Sequence, residues 1–403
     1  MADESTSRSI EVIPSWFKVL GSITLISLLF RSLIPQFMPF ILVSLTIAVG
    51  ILNFRIDRKY KLTITCTILF LLFFIGLTNT IFISTTGFFY YSFIYLSPLL
   101  FWFTLYSYGV GKLLEKVFFY IGLIMIFGSI AQYHFIDPSL IGGYSLYQDG
   151  YDPELSPYTL RSTSFIGSPQ MLGFFCAIFA FFSISREYSL GLLPLIPIII
   201  YAGLLSGSTA FGIAAGMLFF SLPFIDWQRY KAFYIFTVPI ILIFIFYFLY
   251  EFLISDEDIA ILNALRLGLD SHIPYYQAML EKINFSLIGQ GFGSANRLSE
   301  VSGITLDYGY EFIPMVESSI LSIFHEQGVV GTIFFLILVI SSIVCSIIYQ
   351  DRATSRSHIV LVTYLILNAL ATPVITGYTG LVLTYFILLN PLKDFYQYHQ
   401  KLL

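Results

Sequence analysis

Apolar runs long enough to cross a membrane recur along the whole chain. A helix rises about 1.5 Å per residue, so it needs roughly 20 apolar residues to span a hydrocarbon layer of about 30 Å. Twelve segments approach this length, and they predict an all-α polytopic protein with a single integral membrane domain over residues 1–403. The predicted spans are 16–34, 37–53, 62–80, 88–108, 113–135, 169–185, 189–205, 208–224, 232–254, 318–349, 358–374 and 377–392.

The basic residues between these runs predict an orientation. Lys and Arg accumulate in the cytoplasmic loops of membrane proteins. If the N-terminus is cytoplasmic, the predicted inner segments hold most of the 20 basic residues. The basic residues left on the outer side are Arg31, Arg161, Arg266, Lys282 and Arg297. We therefore expect both termini to lie in the cytoplasm.

Two long polar segments fall on the outer side of this topology. They are residues 136–168 and residues 255–317, and the second lies between predicted spans nine and ten. Loops longer than about 15 residues are uncommon in compact proteins unless they are functional or disordered. Apolar residues between Ile259 and Leu269 recur at helical spacing, which predicts an amphipathic helix along the membrane surface. These two segments are where we look for chemistry.

Composition agrees with an integral membrane protein and narrows its partners. The chain is 57% hydrophobic and 11% charged, and its mean hydropathy is +0.84. It contains no Lys/Arg-rich block of the kind that binds nucleic acid. The polar, acidic N-terminus does not resemble a cleaved signal peptide. No His cluster indicates a metal, and we expect no metal and no cofactor.

Arg161 is the candidate cation of the first outer segment. It precedes small and hydroxyl residues in RSTSFIGSPQMLG, and a helix is predicted to start at Pro169 because proline suits the first helical turn. The start of a helix favours an anion, so this segment is a candidate phosphate site. The alternative is an interfacial arginine that extends to lipid headgroups.

The second outer segment offers two arginines, one histidine and a glycine-rich turn. Arg266 and Arg297 are candidate anion ligands, while His272 is either a base or a structural residue. Gly289, Gly291 and Gly293 lie in LIGQGFGSANR, which no predicted strand precedes. A dinucleotide loop is therefore excluded, and the glycines predict a turn where the backbone closely approaches another group.

The stretch VESSILSIFHEQGVVG brings the outer segment back into an apolar run. Glu317 is predicted at the start of a helix, where a carboxylate complements the helix dipole. We expect His325 and Glu326 to serve local structure, with Glu326 solvated or paired with an arginine. Gly328 and Gly331 predict a bend or close packing before the apolar run.

In the order of these features the chain resembles the O-antigen polymerase and O-antigen ligase superfamily, the Wzy- and WaaL-like membrane glycosyltransferases of GT-C type. The resemblance covers residues 155–345 through the segments RSTSFIGSPQMLG, LLSGSTAFGI, SLIGQGFGS and ESSILSIFHEQGVVG. It implies about twelve spans and a large extracytoplasmic loop in the C-terminal half. Each segment is a loose match by itself, and their order and spacing carry the resemblance.

The resemblance assigns candidate roles residue by residue. Arg161 stands where the family has an arginine before its Gly and Pro-Asn helix start, although Gln170 replaces the Asn. The family's second arginine is missing at Ser208, and Arg266 or Arg297 could replace it. Glu317 stands where ligases carry a histidine that acts on the acceptor, which favours the polymerase branch.

The function implied is polymerisation of polyprenyl-pyrophosphate-linked oligosaccharide repeats into a surface polysaccharide. The reaction would occur on the outer face of a bacterial cytoplasmic membrane. The implied partners are an undecaprenyl-pyrophosphate-linked glycan, the lipid bilayer, a chain-length regulator and a flippase. Two alternatives stay open, ligase-type transfer to another acceptor and a transporter. Transporters usually carry ionisable groups near the middle of their spans, and no predicted span here has an obvious one.

Overall fold

Helices account for nearly all of the described part of the chain. The computed structural model describes residues 15–35, 37–52, 85–108, 110–135, 147–148, 160–184, 195–208, 287–291, 318–371 and 377–402, with 211–212, 214–218, 221 and 224–225. The predicted spans 62–80 and 232–254 lie outside these residues. So does most of the outer segment 255–317.

Most described helices begin and end within a few residues of the predicted bounds, but the one predicted at 358–374 begins at Arg352 and the one predicted at 377–392 continues to Leu402. In chain order the helices are α1 (Ser15–Leu29), α2 (Met38–Leu52), α3 (Thr85–Ser107), α4 (Gly111–Phe135), α5 (Pro169–Ile184), α6 (Leu195–Leu204), α7 (Ser319–Tyr349), α8 (Arg352–Ala371) and α9 (Tyr378–Leu402). The 136–168 segment adds two short strands, β1 (Tyr147–Gln148) and β2 (Leu160–Arg161), which pair antiparallel. A 3-10 turn follows at Ser164–Ile166.

The helices pack around two buried ones, α5 and α9. Successive contacts run from α9 through α3, α2, α1, α4, α5, α8 and α7, and α7 returns to α9. Nearly every side chain of α5 from Leu172 to Ser183 is buried, as is the first half of α9. Aromatic rings from several helices fill this interior. The ring of Phe118 on α4, for example, packs against those of Phe175 on α5 and Phe386 on α9.

Polar groups on one helix bind the backbone of the next and fix its position. The Trp102 indole donates to the Val382 carbonyl at 2.7 Å, and the Tyr108 hydroxyl donates to the Gly50 carbonyl at 2.6 Å. Ser318 Oγ donates to the Ala369 carbonyl at 3.2 Å. Hydrogen bonds between helices are one of the forces that hold membrane helices together, because lipid is as apolar as the protein interior and the hydrophobic effect does not drive their association.

Polarity on α7 is reversed relative to a soluble helix. The side chains on its buried face include Ser342 and Ser346. Its exposed side chains are apolar, namely Ile333, Leu336, Ile337, Ile340, Val344, Ile347 and Ile348. A soluble monomer rarely exposes such a continuous apolar face. By length and composition α4 and α7 are candidate membrane spans, and six shorter apolar helical stretches accompany them among the described residues.

Gly122 marks the closest approach of α4 to α5 and generates a first prediction. A Cβ built on Gly122 lies 2.1 Å from Cε2 of Phe179, a ring with no exposed surface. Gly122→Ala should therefore lower the free energy of unfolding by about 1–3 kcal/mol, because the buried ring must move. The measurement is thermal unfolding in detergent micelles.

Gly216→Ala is the matched control for this prediction. Gly216 is also helical, but a Cβ there meets no atom of the described residues within 4 Å. Alanine should be neutral or stabilising at this position by up to about 1 kcal/mol, since glycine is the poorer helix former. Equal melting temperatures for the two variants would contradict the close contact of α4 and α5.

Candidate functional site

The turn after Arg161 is fixed by its backbone and by one buried glutamine. The Arg161 backbone pairs with Tyr147 in the β-ribbon, and the Ser162 N–H donates to the Leu205 carbonyl at 2.9 Å. Oε1 of Gln132, a side chain on α4 with 1% exposure, accepts from three groups. They are Ser162 Oγ at 2.8 Å, Thr163 N at 3.0 Å and Ser164 N at 2.8 Å.

This turn leads directly into α5. Gly167 has φ of 81°, which closes the 3-10 turn, and α5 begins at Pro169 as the sequence predicts. Ser206 and Ser208 form the neighbouring turn, and a Cβ on Gly173 would lie 2.6 Å from Cβ of Ser208. The segments RSTSFIGSPQMLG and LLSGSTAFGI are therefore in direct contact near the start of α5.

The second cluster forms where α7 is broken. Gly328 has φ of 67° and ψ of −164°, so the helix is interrupted one third of the way along. In a continuous helix, the carbonyls of His325 and Glu326 would accept from the amides four residues later. Here they accept from Gln290 N at 2.8 Å and Gly291 N at 2.9 Å. Residues 287–291 thus replace the helical partners lost at the break.

The backbone of α7 also donates a hydrogen bond to the segment 287–291. Val330 N donates to the Leu287 carbonyl at 3.2 Å. Gly289, with φ of 81°, lies against Gly328 so closely that a Cβ on either one would be 2.5 Å from backbone atoms of the other segment. The predicted close approach of the glycine turn is confirmed at Gly289. The predicted bend in the last segment is confirmed at Gly328.

Glu326 is buried at this break, so the prediction of a solvated charge is wrong. It has no exposed surface, and the Tyr95 hydroxyl on α3 donates to its Oε2 at 2.5 Å. The alternative prediction, a charge paired with an arginine, stays a prediction. The backbone carbonyl of Glu326 accepts a hydrogen bond from Gly291 N, and its side chain accepts one from Tyr95 on α3. The expectation that Glu326 serves local structure agrees with this geometry. His325 is 3% exposed, and neither of its ring nitrogens has a hydrogen-bond partner among the described residues.

Most of the predicted chemical groups lie outside the described residues. They are Glu317, His272, Arg266, Arg297 and Gly293, and for Arg161 the structure describes the backbone alone. Ser318 rather than Glu317 caps α7, because its Oγ accepts from Leu321 N at 3.3 Å. Gly291 is described and has φ of 99°.

Two anchoring residues, Gln132 and Tyr95, were missed by sequence reasoning. Each lies inside an apolar run, which predicts a membrane span and gives no separate role to the few polar residues within it. A fully polar amide such as that of Gln132 is costly in an apolar helix unless it is hydrogen-bonded. This energetic cost indicates that Gln132 must be hydrogen-bonded, but it does not identify the partner.

The contacts pair the four resembling segments two by two. RSTSFIGSPQMLG meets LLSGSTAFGI at the start of α5, and SLIGQGFGS meets ESSILSIFHEQGVVG at the break in α7. No protein-family model and no curated protein matches the chain. The family resemblance therefore depends only on the order and spacing of these segments in the sequence.

The crossing at Gly289 and Gly328 generates the second prediction. Gly289→Ala and Gly328→Ala each place a methyl group against backbone that has no side-chain freedom to move, and each requires positive φ. Each substitution should cost at least about 2 kcal/mol of stability. It should also accelerate hydrogen exchange of the Gln290 and Gly291 amides, which mass spectrometry measures in detergent or nanodiscs.

Gly212→Ala is the control for these variants. Gly212 is helical, and among the parts of the chain that the structure describes no atom lies within 4 Å of a Cβ built there. This variant should leave the amide exchange of residues 290 and 291 unchanged. If Gly289→Ala exchanges at the wild-type rate, residues 287–291 are not held at the break.

Proposed function

We propose that the chain is an integral membrane glycosyltransferase that extends a polysaccharide from polyprenyl-pyrophosphate-linked repeat units. The observation that carries the proposal is the contact of the family-like segments in two pairs, at the start of α5 and at the break in α7. The reversed polarity of α7 supports the membrane setting.

Arg161 is proposed to bind the pyrophosphate leaving group. Its backbone immediately precedes the turn held by Gln132, and that turn leads into the N-terminus of α5. The unpaired N–H groups and dipole at a helix N-terminus favour an anion. The guanidinium fork matches phosphate oxygens and stays charged at all relevant pH values. Arg266 and Arg297 are the candidates for a second cation.

Glu317 is proposed to activate the acceptor hydroxyl, and His272 is the rival base. In the reaction, the acceptor oxygen bonds to the anomeric carbon of the donor sugar. The bond from that carbon to the pyrophosphate oxygen breaks with its electron pair on the phosphate. The acceptor proton passes to the Glu317 carboxylate. Glu317 directly precedes Ser318, whose hydroxyl donates to the Ala369 carbonyl and caps α7.

The orientation proposed from the basic residues groups the two pairs of segments on the outer side. Helix contacts support that grouping, since the predicted outer ends meet one another. His134 and Tyr201 are 2.6 Å apart at the ends of α4 and α6. The predicted inner ends also meet, where Gln350 donates to Asp394 at 2.9 Å. We therefore propose that both termini are cytoplasmic and that the reaction takes place on the outer face.

A transporter is the second candidate, and one observation favours it. The sequence argument against a transporter relied on the lack of an obvious charge within a span. Glu326 lies inside α7, fully buried and bound to Tyr95 on another helix. Buried carboxyl groups in membrane helices often serve ion or proton coupling. The assay below therefore includes uptake. Transfer to an acceptor other than a second repeat unit, as in a ligase, is distinguished by the product.

The third prediction tests the chemical roles. Reconstituted protein is supplied with a polyprenyl-pyrophosphate-linked repeat unit, and chain length is followed on gels. Glu317→Gln should slow elongation about 10²- to 10⁴-fold, the usual contribution of a general base. Arg161→Ala should weaken donor use about 10- to 150-fold, since a charge-assisted contact to phosphate is worth about 1.5–3 kcal/mol.

Arg31→Ala is the control, because Arg31 is an exposed arginine on the same predicted side. It should elongate chains at the wild-type rate. In cells, deletion of the gene should abolish the polysaccharide ladder while single repeats accumulate on lipid. Normal elongation by both site variants would disprove the assigned roles. Substrate uptake by liposomes without longer glycans would identify a transporter instead.

A further inference from the structure

One face of α4 binds the turn that follows Arg161, residues 162–164. The contacts come from three residues spaced by four and three positions, namely Met125, Ser129 and Gln132. Residues at this spacing lie on one side of a helix. The Met125 carbonyl accepts from Ser164 Oγ at 2.7 Å, and Ser129 Oγ lies 3.0 Å from Ser162 Oγ. The conformation of the turn is therefore set by α4.

That conformation is one that a residue with a side chain rarely adopts. Thr163 is in the right-handed helical region, with φ of −109° and ψ of −16°, and Ser164 follows with φ of 46°. Within the described ranges, Ser164 is the one residue other than glycine that has a positive φ. A left-handed backbone is costly for such a residue, so it persists only where surrounding contacts enforce it.

Gln132 supplies the contacts that enforce it. Right-handed backbone followed by left-handed backbone forms a nest, in which adjacent amides point toward one spot and bind an anion or an electron-rich oxygen. The amides of Thr163 and Ser164 donate to Gln132 Oε1 at 3.0 and 2.8 Å, and Gln132 Nε2 donates to Thr163 Oγ1 at 3.1 Å. Because Gln132 occupies the nest, these two amides hold the turn and do not bind a phosphate themselves.

The occupant of the nest is neutral, although a carboxylate would bind the same amides more strongly. A glutamate has the length of Gln132 and could accept the same bonds, and the Thr163 hydroxyl could donate to it. It would also place a negative charge on the turn that starts one residue after Arg161. Negative charge there would oppose the binding of a phosphate by the arginine. The amide of Gln132 fixes the turn without this repulsion.

We propose that Gln132 is a positioning residue for the pyrophosphate donor. It fixes the backbone that joins Arg161 to the start of α5, and its neutral amide keeps negative charge away from the donor phosphates. The inference rests on the proposed function, because it takes Arg161 as the pyrophosphate ligand. It adds a requirement that a purely structural glutamine would not have, namely that the side chain be uncharged.

Gln132→Glu tests this requirement, because it keeps the length of the side chain and its acceptor oxygen. Elongation by reconstituted protein is measured at several donor concentrations and at about pH 8.5, where the three donors keep the introduced carboxyl group ionised. The KM for the donor should rise about 10-fold or more, the effect of one charge at about 10 Å in a medium of intermediate dielectric. The kcat should change less, because the donor phosphates are charged both before and during the reaction.

Binding of inorganic pyrophosphate gives a second measurement that does not require elongation. A ligand that binds the folded protein raises its melting temperature. Pyrophosphate should therefore raise the melting temperature of the wild-type protein, and Gln132→Glu should need about 10-fold or more pyrophosphate for the same rise.

Two further variants separate charge from shape. Tyr133→Glu adds the same charge at the next residue of α4, on a side chain that is 38% exposed, so solvent screens it. This control should keep the wild-type KM and pyrophosphate binding. Gln132→Met removes the acceptor oxygen without adding a charge. It should lower the melting temperature and raise the KM by a few-fold, which is less than Gln132→Glu does.

The opposite results would overturn the inference. A wild-type KM and wild-type pyrophosphate binding in Gln132→Glu would do so, and so would equal KM values for Gln132→Glu and Gln132→Met, because only the shape of the turn would then matter. If Gln132→Glu does not fold, Gln132→Met decides, since a wild-type KM in that variant removes the positioning role and a raised KM supports it.

Arg161→Ala distinguishes failure of this inference from failure of the proposed function. If Arg161→Ala elongates chains and binds pyrophosphate as the wild-type protein does, the proposed role of the arginine is wrong and the inference falls with it. If Arg161→Ala is impaired while Gln132→Glu is not, the proposed function stands and the inference alone is wrong.

Discussion

The backbone crossing at Gly289 and Gly328 is the contact on which the second half of the structure depends. A broken helix exposes carbonyl and amide groups, and in an apolar interior each unsatisfied group costs several kcal/mol. Residues 287–291 supply the missing partners at His325, Glu326 and Val330. The bonds require the two backbones to approach within a distance that excludes any Cβ, so glycine is needed on both sides.

Glu326 extends this contact into the bundle. Its carbonyl binds the glycine segment and its carboxylate binds Tyr95 on α3. A buried carboxylate is costly unless it is well hydrogen-bonded, so its surroundings must be fixed. The break and the buried acid therefore form one continuous region on the buried side of α7.

The first outer segment is held by different means. Its turn has no glycine crossing, and a single side-chain oxygen, Oε1 of Gln132, binds one hydroxyl and two successive amides. This arrangement fixes the backbone beside Arg161. Pro169 then starts α5, which the sequence predicted from the missing N–H of proline.

The sequence by itself determined where the described helices lie, because apolar runs and their polar interruptions depend only on the order of residues. It also predicted the bend at Gly328 and the tight turn at Gly289, since glycine marks unusual backbone wherever it is needed. It did not predict that these two glycines meet, nor that Gln132 and Tyr95 anchor the turns, nor that Glu326 is buried. Those facts depend on which helices are neighbours. Residues far apart in the chain become partners only through tertiary packing, and the local periodicity of apolar residues does not indicate which helices pack together.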